Sequence, residues 1–112
     1  MSRLDSLLAL RDGWDGPNSI AVSKQALMNY TRFIDLLGPR LRMDAEPMAT
    51  PGGGIRMEWE RGPYSYIAEL EGNGGMFLCR LGQTPDDDRE IELPYTDLRM
   101  LMEFFEGGTV VR

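Results

Sequence analysis

The order of hydrophobic periods along the chain predicts an α+β domain: two N-terminal helices, an antiparallel meander of about four strands, and a C-terminal helix packed on the sheet. Three observations carry that prediction. Apolar residues recur at helical spacing as far as Leu37, alternate with polar ones in segments between Ile55 and Leu93, and return to helical spacing from Leu98. Strands segregated from helices make a layered fold with helices on one face of the sheet. At 112 residues the chain is long enough for one domain, residues 1–112, and too short for two.

Ser2 is positioned to cap the first helix, with Asp5 at the capping-box position. Leu4, Leu7 and Leu8 follow at helical spacing until Asp12-Gly13 ends the run. After the loop from Asp12 to Asn18, Ser23 caps a second helix from Lys24 to about Leu37, which Gly38-Pro39 stops. On that helix Ala26, Leu27, Tyr30, Phe33, Ile34 and Leu37 fall within an arc of roughly 120°, the mark of one buried stripe. Asn29 lies outside it. A strand around Ala45 to Thr50 would be confined to a sheet edge by Pro47. Ile55 to Glu60 alternates apolar and polar residues as a half-buried strand, and Arg61-Gly62 turns it into Tyr64 to Leu70. Glu71-Gly72-Asn73-Gly74-Gly75 is a turn leading into Met76 to Leu81; a polar loop and a short strand with Ile91 and Leu93 follow. Pro94-Tyr95-Thr96-Asp97 starts a last helix that Gly107-Gly108 ends.

Composition narrows the chemistry. A net charge of −6 argues against a phosphate-neutralising nucleic-acid binder and against an anionic membrane surface. No stretch approaches the roughly 20 apolar residues that cross a bilayer, and Asp5 interrupts the apolar run a signal peptide needs. A cytoplasmic location is the expectation. The single Cys79 excludes an internal disulfide, and the absence of histidine removes the commonest general base and metal ligand.

No residue set reads as catalytic, so the chain is expected not to be an enzyme and to need no metal or cofactor. Asp12 and Asp15 around Trp14 lack the alternating ligands of a calcium loop; they suit a tight turn with the Trp14 ring tucked under the helices. Asp86-Asp87-Asp88 suits a solvated loop. Gly52-Gly53-Gly54 precedes a strand rather than a helix with Lys-Ser/Thr, so it is a turn and not a phosphate cradle. Cys79, with no histidine to activate it, reads as a small buried hydrophobe.

Two surfaces remain as candidate contact sites. If Ile55, Met57 and Trp59 face the core, strand alternation gathers Glu58, Glu60, Glu69, Glu71, Glu90 and Glu92 on the opposite face, with Ser65, and with Arg56 and Arg80 as the main offsetting charges. Ile67 interrupts that face. It suits either a solvated sheet surface or a docking face for a basic partner. On the last helix Leu98, Leu101, Met102 and Phe105 form the central stripe, with Met100 and Phe104 at its edge, positioned for a partner or a homodimer contact.

Gly13-Trp14-Asp15-Gly16 and Gly53-Gly54-Ile55-Arg56-Met57-Glu58-Trp59 together resemble a pattern of short uncharacterised bacterial and phage proteins: a Trp-Asp-Gly turn, a helix, then a Gly-rich turn into an apolar-x-apolar-Glu-Trp strand. The resemblance covers the first half of the chain and brings no functional residue with it. It implies a setting among small accessory proteins of bacteria or mobile elements, where antitoxins and inhibitors are common. The leading expectation is a non-enzymatic protein-binding module, an inhibitor or antitoxin occluding a basic partner surface. Two alternatives stay open: a small-molecule or ion-binding accessory domain using the Trp14 loop with Trp59, Tyr64 and Tyr66, and a self-associating structural component.

Overall fold

The structure is a computed structural model and describes residues 3–37 and 46–107. In chain order the elements are α1 (Arg3–Leu8), α2 (Lys24–Leu37), β1 (Met48–Ala49), β2 (Ile55–Arg61), β3 (Tyr64–Leu70), β4 (Met76–Leu81), β5 (Arg89–Leu93) and α3 (Leu98–Gly107), with a 3₁₀ turn at Pro85–Asp87. The strands form one antiparallel sheet in the order β1-β2-β3-β4-β5, so the meander has five strands rather than four. The added strand is the Pro47-limited edge: β1 pairs only Met48 and Ala49, with Arg56 and Ile55. Ser2, Gly38-Pro39, Ala45 and Gly108 lie outside the described residues, so the expected caps and stops there are not among the observed contacts.

Turn chemistry sets the register. Arg61 pairs with Tyr64, leaving Gly62-Pro63 as a two-residue hairpin turn. Gly62 has φ 61° and proline cannot follow it into positive φ, which makes the turn type II′ and aligns Glu58 with Ile67. Leu70 pairs with Met76 across a five-residue loop in which Glu71 and Gly74 close two backbone bonds and the Asn73 side chain accepts from the Gly75 amide.

Helices cover one side of the sheet. Ala26, Tyr30, Phe33 and Leu37 of α2 and Leu101, Phe104 and Phe105 of α3 pack with Ile55, Met57, Tyr66, Ala68, Leu70, Met76 and Leu78. Ser23 caps α2 as expected, its hydroxyl oxygen accepting from the Ala26 amide at 3.0 Å while the hydroxyl donates to the Gly72 carbonyl at 2.8 Å. Asp97 caps α3 through the Met100 amide. Arg61 closes the other end of α3, donating to the carbonyls of Phe105 and Glu106.

Three expectations are corrected. The first helix stops at Leu8, short of Asp12, because the chain turns to let the Asp12 carboxylate accept from the Ala21 amide and Gly13 donate to the Ser19 carbonyl. Asn29 is buried although it lies beside the apolar stripe; its amide donates to Thr96 Oγ1, whose hydroxyl faces the Gly74 and Gly75 carbonyls, so the polar group is satisfied where α2 meets the start of α3. Trp14 is only half buried and stands outside the core; its indole N–H donates to the Ile20 carbonyl and stitches the loop instead of filling the space under the helices.

Candidate functional site: the uncovered face of the sheet

Alternation along paired strands decides what the second face of the sheet carries. Because Ile55, Met57, Ala68, Leu70, Met76 and Leu78 point to the helices, Arg56, Glu58 and Glu60 of β2, Ser65, Ile67 and Glu69 of β3, Phe77, Cys79 and Leu81 of β4, and Glu90 and Glu92 of β5 point the other way. Cross-strand pairing fixes their positions. Arg56, Glu69, Phe77 and Glu92 lie side by side, and Glu58, Ile67, Cys79 and Glu90 form the adjacent line. Glu71 continues β3 by one step and stands close enough to Glu92 for a carboxyl–carboxyl hydrogen bond. All six glutamates expected on this face are therefore brought together.

The offsetting charge is smaller than expected. Arg56 lies on this face and pairs with Glu58 at 2.7 Å. Arg80 does not: it shares the phase of Met76 and Leu78 and sits with its guanidinium 4.5 Å over the Tyr64 ring on the helix side. Its own strand hides that phase, because Met76-Phe77-Leu78-Cys79-Arg80-Leu81 is apolar in both registers. Six carboxylates and one guanidinium leave the face with a net −5, nearly the −6 of the whole chain.

The same ambiguous strand conceals an apolar floor. Phe77, Cys79 and Leu81 join Ile67 along the middle of the face, with glutamates on β2 to one side and on β5 to the other. Leu81 is 39% exposed, Ile67 and Phe77 are half buried, and Cys79 is shaded by its neighbours. Burial, then the nearby charges of Glu90 and Asp88, push the Cys79 thiol up from its ordinary value against the opposing pull of Arg56, so the sulfur stays protonated. At one end of the face a cleft of about 620 Å³ opens between the Thr50–Gly52 turn and the Gly72–Asn73 turn, with Arg56, Glu58, Glu69 and Glu71 on its wall.

Burial first, then the charges of Glu92 and Glu69 and the hydrogen bond that the protonated carboxyl donates to Glu92, raise the Glu71 carboxyl above its ordinary value. The folded chain thus holds this proton to higher pH than the unfolded chain, and stability falls as pH rises from the ordinary carboxylate value through the raised one. Glu71→Gln is expected to melt at a higher temperature than the parent at neutral pH, with the two melting points converging near about pH 3.5, where both forms of the parent are protonated. Thermal melts of both proteins across that range measure it.

The remaining expected sites fall elsewhere. Phe104 is 0% exposed, beneath Trp59 and Tyr66, so it is core and not a helix-edge contact; Met100 is half buried against the same core. Trp59, Tyr64 and Tyr66 line the helix side, stacked or tilted on one another, while Trp14 belongs to the N-terminal loop. Asp88 accepts from the Gly82 amide and Asp87 from the Thr84 hydroxyl, which makes the acidic run a builder of its own turn. No group of three or more acids, cysteines or histidines among the described residues is arranged to hold a metal. No helix among them is long and apolar enough to cross a membrane.

The two motifs that carry the resemblance touch. Ile20, whose carbonyl holds Trp14, donates its own amide to Pro51, and Ser23 donates to Gly53. Gly53, at φ 85°, holds a backbone conformation that L side chains rarely adopt, and a Cβ there would stand 3.1 Å from the Ala21 carbonyl oxygen and press on the Ile20 side chain. The Trp-Asp-Gly loop and the Gly-rich turn are two halves of one structural joint. Comparisons with family models, with curated proteins and with solved structures gave no match, so the arrangement of these residues is what bears on function.

Proposed function

We propose that this chain is a non-enzymatic protein-binding module whose uncovered sheet face docks on a basic surface of another protein. One observation carries the reading: the side of the sheet opposite α2 and α3 concentrates six carboxylates against one guanidinium around an apolar centre. A face kept only for solubility has no need of Phe77 and Leu81 in its middle, whereas a recognition surface combines an apolar core with a charged rim. Single-sign charge at the rim accelerates encounter with an oppositely charged partner and rejects others. An inhibitor or antitoxin that covers a basic functional surface is the type of protein this describes.

Glu60 and Glu90 stand exposed on opposite sides of the face and outside the Arg56–Glu58 pair. With the full chain immobilised, Glu60→Lys/Glu90→Lys is expected to lose the proteins that the parent retains from a host extract at low salt, with unchanged thermal melting. The same proteins should elute from the parent as salt rises. Equal retention by the variant, or retention indifferent to salt, would contradict the docking reading.

A further inference from the structure

We infer that the segment seated on this face is a basic amphipathic α-helix of a partner protein, lying along β3 and β4 between the glutamates of β2 and those of β5. The inference rests on the docking reading and specifies its occupant. Dimensions argue for a helix. From β2 to β5 is three inter-strand steps, about 14 Å, and an α-helix with its side chains is about 10–12 Å across. One helix fits between those flanks; a second sheet would have to lay its strands over the glutamates, and a single strand is too narrow to reach both flanks.

Length agrees. β3 and β4 are paired over six positions, from Ser65–Leu81 to Leu70–Met76. That is about 20 Å of floor, matched by about 13 residues of helix. Phe77, Cys79 and Leu81 of β4 with Ile67 of β3 supply the floor for an apolar stripe, and Ser65 and Glu69 border it on β3. The carboxylates of Glu58, Glu60 and Glu69 on one side and Glu90 and Glu92 on the other meet lysines or arginines beside that stripe, whose aliphatic stems lie along the floor. Charge also selects against the other occupants. A second copy meeting by this face would bring net −5 against net −5, and a nucleic acid would bring phosphates to the same carboxylates.

A defined probe separates the helix from mere attraction of opposite charge. An 18-residue peptide with leucines at i, i+3/i+4, i+7 spacing and lysines on both flanks is titrated against the full chain by fluorescence anisotropy. An isomer of identical composition, its leucines scattered round the helix, is titrated beside it. The amphipathic peptide is expected to bind at least tenfold more tightly than the isomer. Its affinity should fall at least tenfold with Glu60→Lys/Glu90→Lys, and also with Ile67→Asn, which alters the floor without changing charge. Asp35→Lys/Glu103→Lys makes the same charge change on exposed positions of α2 and α3 and should leave affinity within about twofold. The glutamate pair carries the test alone if Ile67→Asn does not fold. Equal binding of the two peptides would overturn the helix while leaving the acidic docking face intact. An equal loss from the Asp35/Glu103 pair would overturn both.

Discussion

Phe104→Ala is expected to lower folding stability by about 3–5 kcal/mol, measured as a shift in the midpoint of urea unfolding at unchanged slope. The ring is fully buried and meets Trp59 and Tyr66 edge-on, each at 5.5 Å between centroids. Trp59 in turn stacks on Tyr66 and meets Phe105, which meets Phe33 of α2, so Phe104 sits within the aromatic layer joining both helices to the sheet. Truncation removes the transfer energy of the ring and leaves a cavity that rigid aromatic neighbours fill poorly. Against a total of about 5–15 kcal/mol for a domain of this kind, that is a large fraction. A helix-edge contact for a partner would give the opposite result, near-parental stability with altered association.

Gly72→Ala is expected to produce the second large loss, about 1–3 kcal/mol or more, because the clash is with backbone and not with a movable side chain. A Cβ at Gly72 would collide with the Gly52 carbonyl oxygen and lie 3.1 Å from the Gly53 carbonyl carbon. Relief requires the β3–β4 turn and the Gly-rich turn to part. That movement also pulls the Gly72 carbonyl from the Ser23 hydroxyl that caps α2, and it displaces Glu71 at the mouth of the cleft. Gly62→Ala, strained by its φ of 61° but in open space, should cost less. Chemical denaturation of the two variants side by side separates the clash from the conformational preference of glycine.

The parts of this fold legible in the sequence are those where one local rule decides. Ser23 and the stripe from Ala26 to Leu37 announce α2, and the alternation of Ile55 to Glu60 announces the two faces of β2. The glutamates of β2, β3 and β5 then follow by phase alone. What was illegible depends on packing between elements. On α3 the apolar arc spans roughly 200°, so its edge is set by how deeply the helix sits between α2 and the sheet, and Phe104 goes inside. Asn29 is buried because Thr96, 67 residues later, arrives to accept its hydrogen bond. In β4 every position but one is apolar, so neither phase is favoured by the strand itself; pairing with β3 sends Arg80 to the helix side and Phe77, Cys79 and Leu81 to the open one. The apolar line that runs through the acidic face lies on that strand. The interruption at Ile67 was its one visible sign, since Ile67 pairs with Cys79 in the centre of the floor.

The chain has five isoleucines, and they sample the molecule evenly enough to locate a bound helix. Ile67 lies on the open face, Ile55 is buried under the helices, Ile34 and Ile91 pack partly against the core, and Ile20 is exposed in the N-terminal loop. With their δ1 methyl groups labelled, titration of the amphipathic basic peptide should move the Ile67 resonance far more than the other four. Movement at Ile34 or Ile20 with Ile67 unshifted would place the peptide on the helix side or the loop and contradict the assignment of the uncovered sheet face as the docking surface.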